Sequence, residues 1–201
     1  MNQLPKRSST ALKEWAVAVE AMARGDQIII LRKGGIHRDD KEFRIVHPEF
    51  LFYPTYEHQR SELIKPTYTR LLEEVAGEFP DPDNGVAEFK YWAYVTDKFE
   101  LRDEDELERI ADNHLWTKEY TSSRFNWRPS QPLTVALLRV YRLEYPASVP
   151  VLPEFAGCKS WVDLRSDIEL GYLTPAMSDS EYEKEAKYVR GALARSLTLS
   201  D

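Results

Sequence analysis

The run LTVALLRVYRLEY at residues 133–145 constrains the chain most. It reads as the strongest strand of the second half, because β-branched, aromatic and leucine residues follow one another with little polar interruption. The one charge inside its apolar part, Arg139, is costly there unless a carboxylate or a cleft meets it. QIIILRKGG (27–35) reads as a buried strand followed by a tight turn. AEFKYWAYVTDKFEL (87–101) reads as a long strand or a hairpin with little bend. EFRIV (42–46) and EFLFY (49–53) are short strands, and Pro48 between them marks a strand end or an edge.

Helical spacing alternates with these runs. Leu12, Trp15, Ala16, Val19, Met22 and Ala23 form one apolar stripe and predict a helix over 10–24, capped by Ser9 or Thr10 and stopped at Gly25. A second pattern over 57–76 carries Leu63, Ile64, Leu71, Leu72 and Val75, is closed by Gly77, and is interrupted or restarted at Pro66. Asp103 opens a third helix with Glu106 at the capping-box position and Leu107, Ile110 and Ala111 on its inner face. Ser178 and Glu181 cap a last helix to about 196. Residues 115–127, LWTKEYTSSRFNW, mix aromatic and polar side chains and are assigned to no element. Pro146, Pro150 and Pro153 mark a connection after the 133–145 strand. The elements follow no regular βαβ rhythm. The expected class is therefore α+β: a mixed or mainly antiparallel sheet with an N-terminal helix, two or three packed helices and a C-terminal helix. A single domain over 1–201 is expected, with a loose tail at 1–8 and a surface loop at 78–85.

The formal net charge is −7, which disfavours a chain-wide attraction to nucleic acid or to anionic membrane. The charge is uneven, however. Acidic residues gather at 73–83, 97–108 and 179–185, and basic ones at 32–44 and 124–142, which is compatible with one polyanion-facing cleft on an acidic body. A lone cysteine, Cys158, excludes an intramolecular disulfide and points to the cytoplasm. The N-terminal residues have no apolar core of the kind a signal peptide needs, and no stretch approaches the length that spans a bilayer.

LKEWAVAVEAMARGDQIIILRKGGI, HPEFLFYPTYEHQ and LLRVYRLEYPASVPVLPEFAGCKSWVDL resemble a bacterial family known as domain of unknown function 1802, over roughly residues 10–170. FLFYPTYEHQ is the most specific part. The resemblance implies no assigned reaction. Members occur beside Mrr-like restriction endonuclease domains, which implies a link to DNA restriction.

Five constellations could carry chemistry. Arg32-Lys33-Gly34-Gly35, with His37 and Arg38 close behind, can cradle a phosphate, or can be a hairpin turn with solvated charges; in an enzyme reading Lys33 and Arg44 would hold an anion while His47 and His58 move protons. His47, Tyr56 and His58 in HPEFLFYPTYEHQ can form an acid–base pocket, or ordinary turn chemistry around Tyr-Pro-Thr. Their spacing matches no zinc signature, and the chain holds no recognised metal or cofactor motif. Arg124 with Tyr120, Trp127 and Arg128 can stack bases and neutralise phosphates, or pack on the sheet. Arg139 can bind an anion or make a structural ion pair. Cys158, beside Lys159 and a helix start at Ser160, can be a nucleophile or a buried thiol. Three functions follow. The first is a nucleic-acid or nucleotide-binding module in which the two basic stretches share a face. The second is an enzyme on a small phosphorylated substrate using His47 and His58. The third is an interaction protein without a small-molecule site.

Overall fold

A computed structural model of the protein describes residues 4–33, 47–57, 59–77, 85–157 and 159–194. Among them the chain runs β1 (Arg7–Trp15), α1 (Ala16–Arg24), β2 (Ile29–Arg32), β3 (Glu49–Thr55), α2 (Thr69–Gly77), β4 (Val86–Leu101), α3 (Glu104–Arg109), α4 (Lys118–Asn126), β5 (Leu133–Pro150), β6 (Trp161–Glu169), β7 (Leu173–Pro175) and α5 (Asp179–Ala194). One mixed sheet has the order β2-β5-β4-β3-β1-β6, with β7 added on β5. Only β1 and β3 pair in parallel; the other pairings are antiparallel. The expected α+β class, with its mixed sheet and terminal helix, is the one observed. No helix among the described residues is long and apolar enough to cross a membrane.

The sheet is built on the β4–β5 pair, which runs from Val86 opposite Pro150 to Leu101 opposite Leu133. From Leu133 to Val140 every β5 residue is buried, and the two-residue period of a strand divides them. Leu133, Val135 and Leu137 enter a cluster with Val17, Leu107, Trp116 and Val189. Ala136, Leu138 and Val140 enter another with Val19, Met22, Phe50 and Phe52. A third cluster, with Phe89, Trp92, Phe155 and Leu164, fills the end of the sheet formed by the later halves of β5 and β6.

Four expectations are corrected. Residues 10–15 are strand, and the helix begins at Ala16. Ala11 and Leu12 are fully buried between β3 and β6, where both sides of the backbone find ladder partners. The apolar spacing of Leu12, Trp15, Ala16 and Val19 runs across the junction and imitates one helix. Ser9 and Thr10 therefore cap nothing: the residue before the helix is Trp15, which makes no side-chain cap. The loose tail also ends earlier than expected, because Arg7 and Ser8 pair with Glu169 and Ile168. Pro146 does not end the strand, which runs on to Pro150. Phe89 pairs with Ala147 and Tyr91 with Arg142, so the β4–β5 register shifts around Lys90 and Pro146 falls in the resulting bulge, where the regular ladder is interrupted. Ser160 leads into β6 rather than a helix, and its carbonyl accepts from Lys13 N–H at 2.8 Å.

Other expectations hold. Gly25 ends α1 at φ +82, with its N–H directed at the carbonyls of Ala21 and Met22. Pro66 restarts the chain as a short 3-10 turn before α2. Asp103 and Glu106 form a full capping box. Ser178 N–H donates to Glu181 Oε2 at 3.0 Å, and α5 follows. The EFRIV strand and residues 78–84 of the surface loop lie outside the described residues.

Candidate functional site

Arg32 is the last residue of β2 and pairs with Thr134 at the start of β5. The chain therefore leaves β2 at Lys33 beside the place where the connection from α4 enters β5. Lys33 is only 4% exposed. Its ammonium donates to the Phe125 carbonyl near the C-terminal end of α4 and lies 4.8 Å from the Phe125 ring. A cation suits the negative end of a helix dipole, and burial holds the Lys33 pKa below its ordinary value. Gly34, Gly35, His37, Arg38 and Arg44 lie outside the described residues, as do His58 and Cys158.

Arg124 stands one turn before the end of α4. Its Nε donates to Tyr120 Oη at 3.1 Å, and its guanidinium carbon is 5.6 Å from that ring. Tyr120 stacks on Trp116 at 5.9 Å and tilts against Trp15 at 5.1 Å. Burial pushes its hydroxyl pKa up. Beside Trp15, Glu14 pairs with Arg32 at 3.0 Å, with both side chains largely withdrawn from water. Arg32 also donates to the Lys13 carbonyl, Glu14 Oε1 accepts from Trp15 N–H at 2.8 Å, and Thr55 Oγ1 donates to the Glu14 carbonyl at 3.1 Å. Gln59 supplies what the missing helix cap does not, accepting from Val17 N–H at 2.9 Å through Oε1. Tyr56 packs partly buried on the same cluster as Trp15, Tyr120 and Phe125. The ends of β1, β2, β3 and α4 thus meet around a Glu14–Arg32 pair and a shell of aromatic rings.

At the outer edge of this region α4 ends on Trp127, which is 38% exposed. Arg128 follows with φ +54, a left-handed conformation uncommon outside glycine. Its guanidinium carbon lies 4.4 Å from the Trp127 ring centroid, and Gln131 N–H donates to its carbonyl at 3.0 Å.

The remaining candidates lie elsewhere. His47 is exposed at the start of β3, edge-on to Trp161 at 5.3 Å. Tyr56 follows the other end of that strand, about 20 Å of backbone away, so the structure does not bring these two together. Arg139 is 3% exposed. It pairs with Asp179 at 2.7 Å, and its guanidinium lies 4.9 Å from the Tyr182 ring and 5.7 Å from that of Tyr141. A separate hollow of about 270 Å³ is lined by Asp26, Asp112, Glu181, Glu185 and Lys184, among others; its acidity repels a polyanion. Sequence reasoning missed Glu14. A single acid between apolar residues, read as the solvent side of a helix, becomes an inward charge once residues 10–15 are a strand.

Two solved structures are similar to this chain. ASCH from Zymomonas mobilis is 12% identical over 89% of this chain and 93% of its own, with a TM-score of 0.41. A point variant of ZmASCH is 13% identical over 92% of this chain and 98% of its own, with a TM-score of 0.40. No curated protein matches. The family described as domain of unknown function (DUF1802) matches residues 11–188, and the chain belongs to that family.

Proposed function

We propose that this protein is a cytoplasmic nucleic-acid-binding module whose contact surface is the outer edge of α4 together with the chain leaving β2. The observation that carries this reading is the contact of the Lys33 ammonium with the Phe125 carbonyl. It ties the start of the basic 32–44 stretch to the end of α4, where Arg124 and Arg128 stand. Arg32 opposite Thr134 supports the same junction in the sheet register. Net acidity does not oppose it, because the hollow lined by Asp26, Asp112, Glu181 and Glu185 holds negative charge in a separate place. In this reading Lys33 and Arg32 fix the surface through buried contacts, while Arg124 and Arg128 meet phosphates. A link to DNA restriction, implied by the family resemblance, would make foreign or processed DNA the ligand.

Fluorescence anisotropy with labelled duplex DNA, single-stranded DNA and RNA tests the proposal. Binding should fall steeply as salt rises, since each phosphate contact releases counterions. Arg124→Glu and Arg128→Glu should each weaken it and flatten the salt dependence. Absence of binding to all three probes at low salt would overturn the reading and turn attention to small phosphorylated substrates around Tyr56.

A further inference from the structure

We infer that the preferred ligand of this surface is single-stranded, held by one unpaired base stacked on the Trp127 indole; the inference rests on the nucleic-acid reading above. Of the five tryptophans, Trp92 and Trp116 are 1% exposed, Trp15 and Trp161 are half-buried, and Trp127 is the most open to water, at 38%. Packing accounts for the others. Trp127 instead presents indole to water at the end of a helix that hardly separates an apolar from a polar face: its residues are KEYTSSRFN, and only Thr121 is buried.

The backbone reinforces this placement. Arg128 occupies φ +54, a conformation that costs a non-glycine residue energy and tends to occur where function requires it. With that backbone its guanidinium lies over the indole, 4.4 Å from the ring centroid. Arg124, three residues before Trp127, is held on the Tyr120 hydroxyl and ring at the same end of α4. An indole partly open to water with a guanidinium against its ring suits a heteroaromatic base carrying a phosphodiester, since every base offers a π-face and the guanidinium can both stack and neutralise charge. Within a duplex each base already has neighbours on both faces, so only an unpaired base can use the indole.

The test uses the full chain with one labelled oligonucleotide, offered single-stranded and as its duplex, and reads anisotropy together with intrinsic tryptophan fluorescence. The single strand should bind more tightly than the duplex and quench the fluorescence. Trp127→Ala should weaken single-strand binding by about tenfold and by clearly more than it weakens duplex binding, while Trp127→Phe should retain most of the single-strand affinity. Equal binding of both forms, unaltered by Trp127→Ala, would overturn the stacking inference and leave the electrostatic reading standing. No binding of either form would remove the nucleic-acid reading and the stacking inference with it.

Discussion

His114 is 3% exposed, and neither ring nitrogen makes a well-formed hydrogen bond among the described residues. Burial first, and then the nearby Lys65 ammonium, push its pKa down to about 4. Lys65 itself is held close by donating to the His114 carbonyl at 2.6 Å. Above pH 6.5 the ring is neutral in both folded and unfolded chains and has no effect on pH dependence. As pH falls from 6.5 towards 4, the unfolded chain takes up a proton that the folded one refuses, so stability is lost across that window. At pH 5 the loss is about 2 kcal/mol. Urea unfolding at pH 7 and pH 5 should show this loss in the natural chain and not in His114→Leu, which carries no titratable ring; equal pH dependence in the two chains would refute it. A second residue-scale prediction concerns Arg165, whose φ of +64 breaks the regular course of β6 between the register pairs Ser8 with Ile168 and Thr10 with Asp163. Its N–H donates to Asp163 Oδ1 at 2.9 Å. Arg165→Gly should be neutral or mildly stabilising, because glycine adopts this conformation freely, whereas Arg165→Val should cost about 1 kcal/mol or more. Thermal melts of the two variants decide this. The need of Arg139 for a partner was legible in the sequence as a charge within an apolar run, and Asp179 meets it. The left-handed arginines were not, since nothing in composition separates them from any exposed arginine.

The capping pairs of α3 and α5 were readable, because a cap is a local device whose donor and acceptor lie a few residues apart, whereas the cap expected at Ser9 or Thr10 fell with its helix. At α3, Asp103 accepts from Asp105 N–H at 3.0 Å, and Glu106 Oε2 returns to Asp103 N–H at 3.2 Å and Arg102 N–H at 3.0 Å. A helix of six residues has little stability of its own, so Asp103→Ala should lower the free energy of unfolding by about 1 kcal/mol, read as a shift of the urea midpoint without a change in slope. An unchanged midpoint would show that packing of Leu107 and Ile110 suffices. The elements that escaped sequence reasoning depend on distant partners. β1 takes its conformation from β3 and β6, which sequence spacing does not reveal. α4 shows almost no segregation of apolar residues, and its start rests on Thr117 accepting from Tyr120 N–H at 3.4 Å. In the candidate site, Arg32, Lys33 and Arg124 could be singled out from local charge alone. That Lys33 closes on α4 and Glu14 on Arg32 required the fold.

At the scale of the molecule, the β4–β5 pair joins two regions of packed side chains. Its Leu101–Leu133 end packs against the helices, while Phe89 and Val149 at its other end pack with Phe155, Val162 and Leu164. The same strand pairing runs through both, interrupted at only two positions. α1 ties the helical cluster to the one behind β5, since Val17 and Ala21 face the former and Val19 and Met22 the latter. Loss of packing at one end should therefore be felt at the other, and the protein should unfold as one cooperative unit. Phe89 is fully buried, and Phe89→Ala removes a large side chain at a cost of about 3–5 kcal/mol. If the molecule is one unit, that substitution should lower a single melting transition seen alike by far-ultraviolet dichroism, which follows the helices remote from Phe89, and by near-ultraviolet dichroism, which follows the packed aromatic rings. Amide exchange should then accelerate in α5 as well as in β6. Two separated transitions, or faster exchange in β6 with α5 unchanged, would instead divide the chain into two folding units along β4 and β5. The surface at the end of α4 would then depend on the helical unit alone.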